Sequence, residues 1–210
     1  MRIAITGGTG RLGSLLVQRL RQRGDEVTIL SRSRGDVRWD PNAGPAPADA
    51  LAGRDAVVHL AGEDIVQRWT DDALRRIHDS RAQGTRNLVE GLRAADPRPK
   101  ALISSAAVGY YGSRPDPVGE DAPPGDDVLA RICVVWEREA EQAEALGMRV
   151  VRVRTGVVLD RGGGALAKML PFFRLGIGGP VAGGRQYMPW IHLEDLAGIY
   201  LAALDGAGWS

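Results

Sequence analysis

The stretch TGGTGRLG at residues 6–13 constrains this chain more than any other, because of what stands on either side of it. RIAIT at residues 2–6 is a short β-rich run. Leu12, Leu15, Leu16 and Leu20 then recur at helical spacing over residues 11–23. A glycine-rich turn that ends a strand and opens an amphipathic helix is where backbone amides and the positive end of a helix dipole can meet a phosphate. Gly7 permits the tight turn, Gly10 lets the backbone approach a pyrophosphate, and Gly13 lets helix and strand pack closely. Thr6, Gly7, Gly8, Thr9, Gly10, Arg11, Leu12 and Gly13 are therefore candidate ligands of a dinucleotide cofactor.

The alternation begun there continues. EVTILS at 26–31, DVRW at 36–39, AVVHLAG at 56–62, KALISS at 100–105 and MRVVRVRT at 148–155 read as strands. Helical patterns over 70–95 and 128–146 separate the later ones, with Thr70 placed to cap the first and Gly147 to end the second. PNAGPAPADA and residues 113–127 read as loops. Strands alternating with helices imply an α/β fold: a doubly wound, Rossmann-type parallel sheet, order 3-2-1-4-5-6, with helices on both faces. The regular alternation stops after about residue 155. The expected organisation is a dinucleotide-binding domain over 1–155 and a substrate-facing segment over 156–210 packed on it. That segment holds a Gly-rich loop, a helix at 165–174, a Gly/Pro loop and a final helix near Leu193–Leu204.

The second strand selects the cofactor. An NAD site usually places a carboxylate about 20 residues past the glycines, for the ribose 2′-hydroxyl. Here the strand ends Ser31-Arg32-Ser33-Arg34, and a guanidinium suits a 2′-phosphate. NADP(H) is expected in preference to NAD(H), with Ser31 and Arg32 on the phosphate and Arg11 or Arg34 assisting.

Composition excludes other classes. Net charge is +1 and the arginines are scattered rather than striped, so no nucleic-acid partner is expected. No apolar run reaches the roughly 18 residues of a membrane span. The N-terminal MRIAITGG lacks the pattern of a signal peptide. A single cysteine, Cys133, allows no intramolecular disulfide and fits a reducing cytoplasm. Three histidines without ligand spacing give no metal site.

With the glycine loop, HLAGEDI at 59–65, RWT, DSRAQGT, GYYG, WEREA and the long VRTGVVLDRGGGALAKMLPFFRLGIGGPVAGGRQYMPWIHLEDLA in view, the chain resembles the extended short-chain dehydrogenase/reductases. Within them it is similar to the atypical subgroup resembling nucleoside-diphosphate-sugar epimerases, in the NAD-dependent epimerase/dehydratase superfamily. The resemblance implies NAD(P)-dependent chemistry on a small carbonyl, alcohol or nucleotide-sugar-like substrate. It implies cofactor contacts from Ala61 and Gly62 after the fourth strand and from Ser104 and Ser105 on the fifth. It also implies a further strand and small helical lobe beyond Leu204, so that 156–210 is an incomplete substrate-facing segment.

Such enzymes carry a Ser or Thr after the fifth strand and a Tyr-x-x-x-Lys on the next helix, the Tyr moving the proton and the Lys assisting it. Counted from WEREA, the Tyr position is Leu129 and the Lys position Cys133; counted from GYYG, the hydroxyl position is Ala107 or Ala106. Arg81 stands where relatives carry an Asn before Gly84-Thr85. Three readings follow. Tyr110 or Tyr111, just past a strand end and next to a charge from Arg81, supplies the proton. Glu63 or His192 supplies it. Or the chain is a non-catalytic NADP(H)-binding redox sensor. Tyr110, Tyr111 and Glu63 are the catalytic candidates. His59, His192 and Asp195 read as structural, and Trp69, Trp136 and Trp190 as core. A small-molecule substrate is the expected partner; the oligomeric state is not readable.

Overall fold

The computed structural model describes residues 1–180, 182–206 and 208; Val181 in the Gly/Pro loop, and Ala207, Trp209 and Ser210 in the final GAGWS, lie outside them. Six strands form one parallel sheet: β1 (Arg2–Thr6), β2 (Glu26–Ser31), β3 (Val37–Arg38), β4 (Ala56–His59), β5 (Ala101–Ala107) and β6 (Arg149–Thr155), in the order β3-β2-β1-β4-β5-β6. The order reverses between β1 and β4, which opens a crevice at their carboxyl ends.

Two-residue periodicity sorts the strand side chains into two cores. Ile3, Ile5, Val58, Ile103, Val151 and Val153 face α1 (Arg11–Gln22) and α6 (Leu193–Asp205). Ala4, Leu30, Val57, Leu102 and Val150 face α2 (Ala48–Leu51) and α3 (Asp71–Ala94). α4 (Val128–Glu141) packs beside α3 and adds Ala140 to that second core. Of these, α3 and α4 are capped by side chains: Thr70 Oγ1 accepts from the Ala73 amide at 3.2 Å, and Asp127 Oδ1 from the Ala130 amide at 2.9 Å.

Several elements differ from the expectation. β4 ends at His59 rather than Gly62, because its neighbour β1 ends at Thr6, the partner of His59. α4 ends at Glu141, and a separate 3₁₀ turn over Glu144–Leu146 leads to Gly147, which takes φ +79°. The Pro/Ala loop contains α2. A second, two-stranded parallel sheet, β7 (Val157–Asp160) with β8 (Trp190–His192), was not foreseen; it flanks α5 (Gly164–Arg174). None of the described residues of α5 is buried, and Phe172, Phe173 and Leu175 are exposed with Ile177, Tyr187 and Trp190 after it. Trp69 and Trp190 are exposed rather than core, while Trp39 and Trp136 are buried. No helix among the described residues is long and apolar enough to cross a membrane, and no group of three or more His, Cys, Asp or Glu there is placed to hold a metal.

Candidate functional site: the glycine cradle and the groove above it

The first turn closes with the Gly10 amide donating to the Gly7 carbonyl at 3.0 Å. Gly7 has φ +70°, and a Cβ there would stand 2.7 Å from the Leu60 carbonyl carbon. That clash is a direct physical reason for glycine at position 7. Gly13 is more crowded: its Cβ would meet the Gly7 oxygen at 2.2 Å. Gly10 is different. A Cβ there would touch only the Gly7 oxygen, at 3.3 Å, so the fold demands little at this position. Gly10 is also the N-cap of α1, with no side-chain cap and no acidic residue in the first turn. The helix end is left open toward solvent charge of negative sign.

Beneath the cradle, Thr6 Oγ1 lies 2.6 Å from His59 Nδ1, and His59 Nε2 lies 3.1 Å from Thr85 Oγ1. All three are fully buried, and burial pushes the His59 pKa down to about 4, so the ring is neutral. Thr6 Oγ1 also accepts from the Ala61 amide at 3.3 Å. The Thr6 side chain therefore orients the ends of β1 and β4 from below. This matches the structural reading of His59.

Above the cradle runs a groove of about 310 Å³, bounded by Gly7, Thr9 and Gly10, residues 31–33, residues 39–42, residues 60–63 and Ser80. Ser31, Arg32, Ala61, Gly62 and Glu63 thus converge on one space, as expected. Arg32 has no ion-pair or hydrogen-bond partner among the described residues. Asp40, from the end of β3, lines the same groove, a carboxylate that the sequence reading did not place there. Arg34 does not line it.

Arg11 departs from expectation. Its guanidinium pairs with Asp160 at the end of β7 and donates to the Gly162 carbonyl at 2.6 Å. It lines a second pocket of about 240 Å³, between α1, β5 and α6, together with Leu12, Ser105, Thr155 and Tyr200. In this structure the guanidinium is therefore held by Asp160 and does not line the groove beside Arg32. Ser105 likewise turns away from the groove, 2.7 Å from the fully buried Tyr200 hydroxyl. Burial, only partly offset by that hydrogen bond, raises the Tyr200 pKa above its ordinary value. Ser104 is buried and donates to the Ser105 carbonyl at 3.2 Å.

Tyr110 and Tyr111 lie on a 3₁₀ turn over Val108–Tyr111, with rings edge to face at 5.3 Å. They do not line the groove. The Arg154 guanidinium covers Tyr110 at 3.8 Å from the ring centre and donates to the Tyr111 hydroxyl at 2.7 Å. Its other nitrogens grip Glu137 at 2.8 and 2.7 Å. These hydrogen bonds hold the Arg154 pKa above its ordinary value despite burial. The cation beside Tyr111 is therefore Arg154, not Arg81 as expected.

Glu63 does line the groove. Its amide donates to Ser80 Oγ at 3.0 Å, and its carboxylate stands 3.6 Å from Arg76 Nε. His192 caps α6, Nδ1 accepting from the Glu194 amide at 3.3 Å, in line with its structural reading.

The sequence profile of the NAD dependent epimerase/dehydratase family matches residues 3–208. This chain belongs to that family. Human epimerase family protein SDR39U1 is 42% identical over 212 residues, covering 98% of this chain and 71% of that protein. The chloroplastic SDR39U1 homolog of Arabidopsis thaliana is 39% identical over 222 residues, covering all of this chain and 64% of that protein. Among solved structures, human SDR39U1 (isoform 2) with NADPH superposes with TM-score 0.84 at 39% identity, over 98% of this chain and 70% of that one. A nucleoside-diphosphate sugar epimerase from Corynebacterium glutamicum superposes with TM-score 0.87 at 36% identity, over 100% of this chain and 45% of that one. A UDP-glucuronic acid 4-epimerase from Bacillus cereus shares the fold at 19% identity.

For an epimerase-family site, the face of α4 nearest β5 is inert. A Cβ on Gly109 would stand 3.7 Å from Leu129 Cβ and 3.8 Å from Cys133 Sγ, so positions 129 and 133 do press on the turn after β5. Leu129 has no exchangeable proton, and burial pushes the Cys133 thiol up to about 11. Arg154 and Tyr200 escaped the sequence reading. For Arg154 a signal existed. Arg152 and Arg154 share one face of a strand, Glu137 and Glu141 share one face of a helix, and the two pairs meet as Arg152–Glu141 and Arg154–Glu137.

Proposed function

We propose that this chain binds NADP(H) in the groove and acts as an oxidoreductase or epimerase-like enzyme on a small carbonyl, alcohol or nucleotide-sugar-like substrate, in a reducing compartment such as the cytoplasm. One observation carries the reading: an open, uncapped helix N-terminus behind Gly10 and an unpaired Arg32 line one groove. The relative crystallised with NADPH supports the choice of cofactor. In this reading the amides of residues 11–13 receive the pyrophosphate and Arg32 the 2′-phosphate. Ala61 and Gly62 pass beside the ribose on the β4 side. Bound NADPH would supply a hydride to a carbonyl, and bound NADP⁺ would accept one from an alcohol. Glu63 is the one proton-transfer candidate of the three that already faces the groove; Tyr110 and Tyr111 would need the substrate to come to them.

A second reading is favoured by Leu129 and Cys133, which provide neither a phenol hydroxyl nor a cation at those positions: a protein that binds NADP(H) without turnover. Aldehydes and ketones incubated with NADPH, and alcohols and nucleoside-diphosphate sugars incubated with NADP⁺, separate the two, with a change in nicotinamide absorbance read in either direction. Such a change at 340 nm, or sugar interconversion at constant absorbance, that disappears in Glu63→Gln or Tyr111→Phe supports the enzyme. Tight NADPH binding with no turnover across the panel supports the sensor.

A further inference from the structure

Arg81, on α3, is a desolvated cation without a counter-ion. Its Nη1 donates to the Glu63 carbonyl at 3.1 Å, the Ile77 carbonyl at 3.2 Å and Ser80 Oγ at 3.5 Å. All three acceptors are neutral. Among the described residues no carboxylate lies within ion-pair distance of it, and Nε and Nη2 have no acceptor. Of the other part-buried arginines, Arg54, Arg152 and Arg154 each hold a glutamate, whereas Arg114 is held by backbone carbonyls.

Its surroundings compensate in part, through a cation–π contact, and supply no counter-charge. The guanidinium lies 4.9 Å from the centre of the Trp136 ring. Trp136 is 6% exposed, and its Nε1 is a buried donor with no partner. On another side stands the Cys133 thiol, which is protonated at neutral pH. An arginine does not shed its proton to escape such a setting, and an unpaired, partly buried charge is costly. Burial lowers its pKa, against opposition from Cys133 and then from Glu63 and Asp64.

The open direction is toward the groove. A Cβ on Gly62 would stand 3.7 Å from Arg81 Cζ and Nη1 and 3.8 Å from Nη2. Gly62, Glu63 and Ser80 all line the groove, and Arg81, although not a lining residue itself, stands directly behind that wall at Gly62, where no side chain intervenes. The cofactor's phosphates are already provided for, by the start of α1 and by Arg32 on the far side of β1.

We propose that Arg81 binds an anionic group of the substrate, a carboxylate or a phosphate, delivered to the end of β4 beside Gly62. This deepens the proposed function and rests on NADP(H) filling the cradle. The unused Nε and Nη2 present two donors side by side, the arrangement that suits two oxygens of one anion. The substrate class narrows accordingly, from any carbonyl or alcohol to one carrying a carboxylate or phosphate near the reacting carbon.

The test uses malonate and inorganic phosphate as probes, titrated into the whole chain with and without saturating NADPH. Wild type should bind at least one probe saturably. Arg81→Met should weaken that binding by about tenfold or more, as expected for loss of a charge-assisted pair, with NADPH affinity changed less than about twofold. Arg81→Lys, which keeps the charge but loses the fork, should fall between them, and it carries the test if Arg81→Met does not fold. No saturable binding in wild type overturns the proposal, as does a probe affinity unchanged in both variants. A loss confined to NADPH overturns it too, by assigning Arg81 to the cofactor. If wild type binds no NADPH yet holds the anion through Arg81, the functional reading fails and the anion site stands.

Discussion

At the scale of single residues, the glycines of the cradle serve two different masters. Gly13 is required by packing, because its Cβ would meet the Gly7 oxygen at 2.2 Å. Gly10 is required by the fold only weakly, at 3.3 Å. Gly13→Val should therefore lower the melting temperature, since something in the turn must shift. Gly10→Val should melt close to wild type and lose dinucleotide binding, because the added side chain fills the approach to the helix end. Melting curves and NADPH titrations on both variants check this; a Gly10→Val protein that binds at wild-type affinity would misplace the cradle. The spacing of these glycines in sequence was enough to assign the motif. It was not enough to tell which glycine serves the chain and which the ligand. Arg11 makes the same point. Nothing near residue 11 in sequence indicates that Asp160 waits for it across the first turn of α1.

At the scale of elements, the six strands and their order were legible because each strand is a short apolar run stopped by glycine or a polar turn, and parallel crossovers leave few topologies. What was not legible depends on pairing made at a distance. β8 is three residues long and exists because Val157 to Leu159 lie beside it. β4 stops early because β1 does. The strand–helix seam between β6 and α4 is the clearest functional consequence. Glu137 is 4% exposed and held at two points by Arg154, which also covers both tyrosines. Removing one partner of such a pair leaves a buried charge and costs about 3–5 kcal/mol. Glu137→Gln and Arg154→Met should each destabilise strongly, and Arg154→Met should also loosen the Val108–Tyr111 turn. Denaturant unfolding with tyrosine-region proton spectra reads both effects. A cost near zero for either variant would mean the pair is solvated and the tyrosines are held by packing alone.

At the scale of the whole molecule, the neutral His59 links stability to pH. Its pKa is about 4 in the folded chain and 6.5 when exposed. Between those values the unfolded chain carries a proton that the folded chain lacks, so stability falls as pH drops from about 6.5 toward 4, by up to roughly 3 kcal/mol. Denaturation midpoints at several pH values, in wild type and His59→Gln, should show that slope only in wild type; equal slopes would put its source elsewhere. The same buried relay joins β1, β4 and α3 directly under the cradle, so acid should weaken cofactor binding and fold together. All of this serves one claim, that the groove above Gly10 is an NADP(H) site chosen by Arg32. Its most direct measurement is a pair of titrations, NADPH and NADH, into wild type and Arg32→Ala. Wild type should prefer NADPH by roughly tenfold or more, and Arg32→Ala should lose the preference by weakening NADPH alone. Equal affinities for the two cofactors in wild type, or a preference that survives Arg32→Ala, would contradict it.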